Sequence, residues 1–166
     1  MDLIDLYKHI KNNYDYVESG HLFLKTTLKN GHKNKLVVGY KANNGYLVIS
    51  IKNKPMLYHR IIWLWHHKTL PKYLDHINRN KKDNRIDNLR PALRFQNMAN
   101  IRKLKKSKSS IYKGVSFDKK AKKYVSSITF NGVKIYLGAF GNEELAAKAY
   151  DEKAKLLWGE FACTNF

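Results

Sequence analysis

The chain has 166 residues, 43% hydrophobic and 13% aromatic, which is enough to pack a core and too apolar for wholesale disorder. Thirty-two Lys and Arg against thirteen Asp and Glu leave a formal charge of +19, an excess best explained by a polyanionic partner, above all nucleic acid. No apolar run approaches the roughly 20 residues of a membrane-spanning helix, and the single cysteine, Cys163, excludes an internal disulfide and any multi-cysteine zinc site. Any metal must then be held by His, Asp, Glu or Asn, a set suited to magnesium, calcium or manganese. Acids stand near the start, at Asp2 and Asp5, where a signal peptide carries bases, so the expectation is a soluble, cytoplasmic protein with no membrane partner.

Residues 1–57 read as a short amphipathic segment at Leu3–Ile10 followed by a small β-rich region. Apolar stretches at Leu22–Leu24, Leu36–Tyr40 and Tyr46–Ile51 are separated by turns such as Asn43-Asn44-Gly45. The last stretch is nearly continuous in apolar character, which leaves its buried face open. His9, His21 and His32 are isolated, and no chemistry is read from them.

The character changes at residue 58. Ile61-Ile62-Trp63-Leu64-Trp65 is apolar all round, which predicts a buried helix after Tyr58-His59-Arg60 that ends before Pro71. From Leu74 to Arg90 the chain is crowded with Asn, Asp and Arg, whose side chains compete for backbone hydrogen bonds. That segment is predicted to be a long polar loop between short ordered ends, and loops of this length in small domains tend to carry function. Five of the seven residues of Arg102-Lys103-Leu104-Lys105-Lys106-Ser107-Lys108 are basic, which reads as a linker or a phosphate-tracking arm over 102–109.

Residues 110–166 read as a β-then-α module. Tyr124–Phe130 and Val133–Leu137 flank Asn131-Gly132, a strong hairpin signal. The turn predicts pairing of Phe130 with Val133, Ile128 with Ile135 and Ser126 with Leu137, leaving Ser127, Thr129, Lys134 and Tyr136 on the other face. A helix is expected after Gly141-Asn142, with Glu143 and Glu144 in its first turn, Gly159 as its stop, and Leu145, Ala149, Tyr150, Ala154 and Leu157 on the sheet.

Phosphodiester hydrolysis needs an activated water, a cation for the developing charge and help for the departing oxygen. Asp75-His76 offers a carboxylate for a cation and an imidazole that can take a proton near neutral pH. Adjacent residues of an extended segment point to opposite sides, so the histidine would face the water and the aspartate the cation. The dipeptide alone does not decide the matter.

Its surroundings add more. Tyr58-His59-Arg60-Ile61-Ile62-Trp63, Asp75-His76-Ile77-Asn78, Asp83-Asn84-Arg85-Ile86-Asp87-Asn88-Leu89-Arg90 and Gln96-Asn97-Met98-Ala99-Asn100 together resemble the HNH endonucleases of the phage and intron-associated homing type. The resemblance covers about 58–101. It implies a ββα-metal core, His76 as general base, Asp75 and Asn97 as ligands of Mg2+ or Mn2+, and Asn88 as the residue that ties the loop to itself. It also implies a phage-encoded protein acting inside the host cell. His59 and Arg60 match the pattern with an undefined role, and Arg79, Arg85, Arg90 and Arg94 are candidate phosphate clamps. The helix that would carry Asn97 departs from the pattern, with Pro91-Ala92-Leu93 where a Ser or Thr cap is common.

The C-terminal residues Tyr112-Lys113-Gly114-Val115, Lys123-Tyr124, Tyr136-Leu137-Gly138-Ala139-Phe140, Ala146–Asp151 and Asn165-Phe166 resemble the DNA-binding domain of plant ethylene-response factors of the Apetala-two type. That resemblance implies three strands in a DNA major groove, with Lys113, Lys134 and Tyr136 at contacting positions. Ser127 and Thr129 replace a Glu and an Arg of the plant proteins, so the plant recognition sequence does not carry over. Arg79, Arg102 and Lys105 complete the candidate DNA contacts.

The expectation is an α+β chain in four parts: a β-rich region over 1–57, a ββα-metal nuclease core over 58–101, a basic linker over 102–109, and a three-stranded antiparallel sheet on one helix over 110–166. Its partner would be double-stranded DNA, and a monomer is expected. A non-catalytic DNA-binding regulator on an HNH-like scaffold is the alternative; an RNA-binding protein has only the charge in its favour.

Overall fold

The computed structural model describes residues 2–25, 27–28, 31–32, 35–103 and 109–166. Mixed helices and small antiparallel sheets fall into two compact units, Met1–Ala92 and Leu93–Phe166.

The first unit opens with helix α1 (Leu3–Asn13), whose first turn is closed by Asp2 accepting from the Asp5 N–H at 2.7 Å. Leu6 and Ile10, one turn apart, are its buried face. Strands β1 (Tyr14–Val17) and β2 (His21–Leu24) form a hairpin that β5 (Lys35–Val37) extends to three strands. Between them, the two-residue strands β3 (Thr27–Leu28) and β4 (Gly31–His32) pair with each other. A second antiparallel sheet is made of β6 (Tyr40–Lys41), β7 (Leu47–Ile51) and β8 (Lys54–Leu57). The face left open in 46–51 resolves with Val48, Ile49 and Ile51 buried and Ser50 exposed.

Helix α2 (Tyr58–His67) is the centre of this unit, as its all-round apolar sequence requires. Tyr58, Ile61, Ile62 and Leu64 have no measurable exposure, and full burial of such side chains contributes roughly 1.5–3 kcal/mol each. Lys68 ends the helix in a left-handed conformation, its N–H on the Leu64 carbonyl. The Tyr58 hydroxyl accepts from the Leu22 N–H at 2.6 Å and donates to the Val37 carbonyl at 2.7 Å, joining β2 to β5. Burial pushes that phenol up to about 12. The unit closes with β9 (Leu74–His76) and β10 (Leu89–Pro91), antiparallel, with Asp75 opposite Arg90 and His76 opposite Leu89.

The second unit begins with the short helix α3 (Arg94–Ala99). In place of a Ser or Thr cap, Gln96 Oε1 accepts from the Leu93 N–H at 2.7 Å. Strands β11 (Val115–Asp118), β12 (Lys123–Phe130) and β13 (Val133–Phe140) form a three-stranded antiparallel sheet in that order, and α4 (Glu143–Trp158) packs on it. Asn142 caps α4 through the N–H groups of Glu144 and Leu145, and Gly159 ends it.

Two expectations for this unit are corrected. Ser126 pairs with Gly138 rather than Leu137, because a β-bulge between Ser126 and Ser127 inserts Leu137 into the ladder and lets β13 run on to Phe140. The helix face on the sheet is Ala146, Ala147, Tyr150 and Ala154, with Leu145 53% exposed. Alanines let the helix axis approach the sheet closely where a leucine would hold it off, so the small residues and not the large one mark the buried stripe. The stripe also includes Asp151, whose carboxylate receives the backbone N–H groups of Asn165 and Phe166. Asn165 in turn bonds both backbone groups of Lys113.

Candidate active site and DNA-contact surface

Strand β9 presents Asp75 and His76 to opposite faces, as strand geometry dictates. Asp75 meets its cross-strand neighbour Arg90, whose Nε and Nη2 both donate to Oδ2, at 3.0 and 2.9 Å. Both side chains are nearly buried, so the ion pair is desolvated, and loss of either partner would strand a charge. Arg90 is thereby a holder of Asp75, which sequence reasoning took for a phosphate clamp.

On the other face His76 is set in a small aromatic box. Its ring lies edge-on to His59 with centroids 5.0 Å apart, and Tyr46 covers both at 5.1 and 5.8 Å. His76 Nε2 lies 3.0 Å from Asn84 Oδ1, and Asn84 is 2% exposed. Burial lowers the pKa of His76 below the usual histidine value, against the opposing pull of Asn84, Asp75 and Asp83. His59 is pushed down to about 3, first by burial and then by His76 and Arg60. Both rings are therefore neutral at pH 7, and a neutral imidazole can accept a proton. Arg60 donates to the carbonyls of Pro71 and Lys72, which fixes the chain leading into β9.

The polar loop between β9 and β10 satisfies many of its own groups. Asn88 Oδ1 accepts from the Asn78 N–H at 2.9 Å, while its amide donates to the Asp83 carbonyl at 2.7 Å and to Asn78 Oδ1 at 3.0 Å. Asn78 and Asn80 each accept from the N–H two residues on, the side-chain turn that asparagine favours. Arg85 grips Asp83 with two parallel bonds of 2.9 and 2.8 Å. That grip is the first cause that holds the Asp83 carboxyl down at about 2.

Asp75, His76 and Asn88 are thus gathered on one hairpin, and Asn97 lies half-buried on α3 in the second unit. Among the described residues no three or more His, Cys, Asp and Glu cluster as a metal cage. The one carboxylate of β9 fits instead a Mg2+-type ion that keeps waters and takes phosphate oxygens as ligands. Thr129 lies opposite Lys134 and Ser127 opposite Tyr136 on β12 and β13, on the face away from α4. Ser127 is half-buried; Thr129, Lys134 and Tyr136 are exposed, as are Arg79 and Arg102. Lys113 donates to the Ala99 carbonyl at 2.7 Å, near the rings of Tyr150 and Trp158. Lys105 lies outside the described residues.

Sequence reasoning missed Asn84 and Tyr46. Asn84 looked like one more loop asparagine, and no spacing rule links Tyr46 to a histidine thirty residues on. No helix among the described residues is long and apolar enough to cross a membrane.

Residues 57–99 match the HNH endonuclease family. The chain is 36% identical over 128 residues to an uncharacterized HNH endonuclease of Acanthamoeba polyphaga mimivirus, an alignment covering 76% of this chain and 65% of that protein. Shorter matches join it to two AP2-like ethylene-responsive transcription factors of Arabidopsis thaliana. One is 41% identical over 61 residues, covering 37% of this chain and 13% of the relative. The other is 38% identical over 69 residues, covering 36% and 16%. The chain therefore spans less than two thirds of the length of each of these relatives. The hairpin that carries Asp75 and His76 lies within the segment, residues 57–99, that matches the HNH endonuclease family.

Proposed function

We propose that this protein is a divalent-metal-dependent endonuclease that hydrolyses phosphodiester bonds in duplex DNA. His76 is the general base, Asp75 and Asn97 are the protein ligands of one Mg2+ or Mn2+, and 58–101 forms the ββα-metal core. The observation that carries the reading is a buried carboxylate and a neutral imidazole back to back on adjacent residues of one strand, inside the family-matched segment.

When bound, the cation would neutralise charge on the phosphate and the departing oxygen. The chain does the rest. His76 takes a proton from the attacking water at a ring nitrogen. Arg90 fixes the Asp75 carboxylate, and Asn88 keeps the 77–87 loop closed so that β9 holds its place. Residues 110–166 are proposed as the AP2-like DNA-binding domain, gripping the duplex through Ser127, Thr129, Lys134 and Tyr136, with Lys113, Arg79, Arg102 and Lys105 as further contacts. A three-stranded sheet backed by one helix supports this assignment, since the major groove admits strands.

The test is cleavage of duplex DNA, including DNA flanking the protein's own gene, with Mg2+ or Mn2+ and with chelator. Wild type is expected to nick or cut with metal only. His76→Ala should lose at least about a hundredfold in rate while keeping its DNA affinity. Undiminished cutting by that variant, or none by wild type on any DNA tried, overturns the reading. The transcription-factor matches favour a second reading, a DNA-binding regulator on a nuclease scaffold. Metal-independent binding without cleavage would select it.

A further inference from the structure

One residue outside the usual inventory of acids, bases and ligands meets His76 directly, and two more meet the backbone that carries that residue. Asn84 Oδ1 sits 3.0 Å from His76 Nε2 in a site where Asn84 is 2% exposed. Asn84 Nδ2 is itself buried with no hydrogen-bond partner among the described residues. A loop asparagine that keeps an unmet donor in the interior needs a reason, and aiming the other end of its amide at a histidine supplies one.

The asparagine is in turn held from outside the family-matched segment. The turn of the β1–β2 hairpin brings Gly20 against the Asn84–Arg85 peptide so closely that a Cβ there would lie 2.5 Å from Arg85 N and 2.7 Å from the Asn84 carbonyl carbon. Gly20 also has a φ of +82°, a conformation other residues rarely adopt. In the same hairpin, the Tyr16 hydroxyl accepts from the Ile86 N–H at 3.1 Å. From the opposite side, Asn88 holds the Asp83 carbonyl. The peptides around Asn84 are therefore fixed on both flanks.

A neutral imidazole carries its proton on one nitrogen only, and the partner of one nitrogen decides what the other can do. With an oxygen acceptor at Nε2, the proton resides on Nε2 and the basic lone pair on Nδ1. The reverse tautomer would set two lone pairs face to face at 3.0 Å and give up a buried hydrogen bond. We propose that Asn84 is a positioning residue that holds His76 as the Nε2–H tautomer, making Nδ1 the basic nitrogen, and that Gly20 and Tyr16 of the N-terminal hairpin hold Asn84 in place. The proposal rests on the assignment of His76 as general base, and it extends the machinery of the site to residues that precede the nuclease segment.

The test reads the tautomer directly. In the full chain labelled with 15N-histidine and kept metal-free at neutral pH, the ring nitrogens of His76 are assigned by their disappearance in His76→Gln. Wild type is expected to show a protonated Nε2 and an unprotonated Nδ1. Asn84→Leu should mix the tautomers and slow single-turnover cleavage about 10–100-fold, with DNA affinity unchanged. Asn84→Asp, which keeps an acceptor oxygen, should retain the Nε2–H tautomer and recover most of the rate. Gly20→Ala should reproduce the mixing in weaker form. An Nδ1–H tautomer in wild type, an unaltered tautomer in Asn84→Leu, or an Asn84→Asp as slow as Asn84→Leu overturns the proposal. Should Asn84→Leu fail to fold, wild type and Asn84→Asp still decide the tautomer. A wild type that cuts no DNA sinks the nuclease reading while leaving the ring-nitrogen result to judge the tautomer by itself.

Discussion

The Asp83–Arg85 pair in the loop between β9 and β10 makes a pH-dependent contribution whose sign follows from the carboxyl. Asp83 titrates at about 2 in the folded chain against an ordinary 3.8, so folding favours the charged form. Its contribution is fully present above about pH 4 and is lost as pH falls through the folded value. Arg85→Gln should therefore lower the urea midpoint at pH 6 and do so progressively less as the pH approaches 2. A gap between wild type and variant that stays constant across that range would show that the pair does not act through this carboxyl. The neighbouring residues show how far single positions could be read without coordinates. Asp75 and His76 could be singled out only because the motifs around them resemble the HNH pattern, and Asn88 by that resemblance and because a long polar loop must satisfy its own amides. Asn84 could not, since its role depends on burial and on a partner eight residues away. Arg90 was visible as a charge, but its cross-strand partner follows only from the register of β9 and β10.

Helix α4 shows what periodicity can and cannot deliver. Its start at Asn142 and its stop at Gly159 were legible from capping chemistry, and Asn131-Gly132 correctly marked the β12–β13 hairpin. The buried face was read only in part: Tyr150 and Ala154 are buried and Leu157 packs beside them, but hydrophobic size pointed to Leu145 where packing selected Ala146 and Ala147. Leu145→Lys should change stability by no more than about 0.5 kcal/mol. Ala147→Leu should cost about 1–3 kcal/mol by wedging the helix off the sheet. Chemical denaturation of both variants measures the contrast, and equal effects would refute the corrected stripe. The bulge at Leu137 was beyond sequence reasoning for a different reason. Alternation of apolar and polar residues reports faces, whereas an inserted residue changes register without announcing itself in composition.

For the whole molecule, the charge of +19 was legible and its proposed deployment on DNA only partly so. Lys134 on the exposed sheet face is proposed to meet a phosphate, so Lys134→Gln should weaken binding on all sequences alike. It should also reduce the slope of log affinity against log salt by about 0.9, read by fluorescence anisotropy over a salt series. An unchanged slope would remove Lys134 from the interface. The N-terminal 57 residues gave only a β-rich outline, because their short strands are defined by partners rather than by pattern. Those partners bear on how such a chain can be rearranged. The family match begins at residue 57, yet the hydroxyl of Tyr58, one residue further on, supplies hydrogen bonds to both β2 and β5. Cutting the chain at that boundary would orphan a buried phenol on one side and a backbone donor and acceptor on the other. The family-matched segment is therefore not portable by itself: a working transplant must carry residues 14–37 with it and must run past Ala92, where the first compact unit closes, far enough to keep Asn97, the proposed second metal ligand.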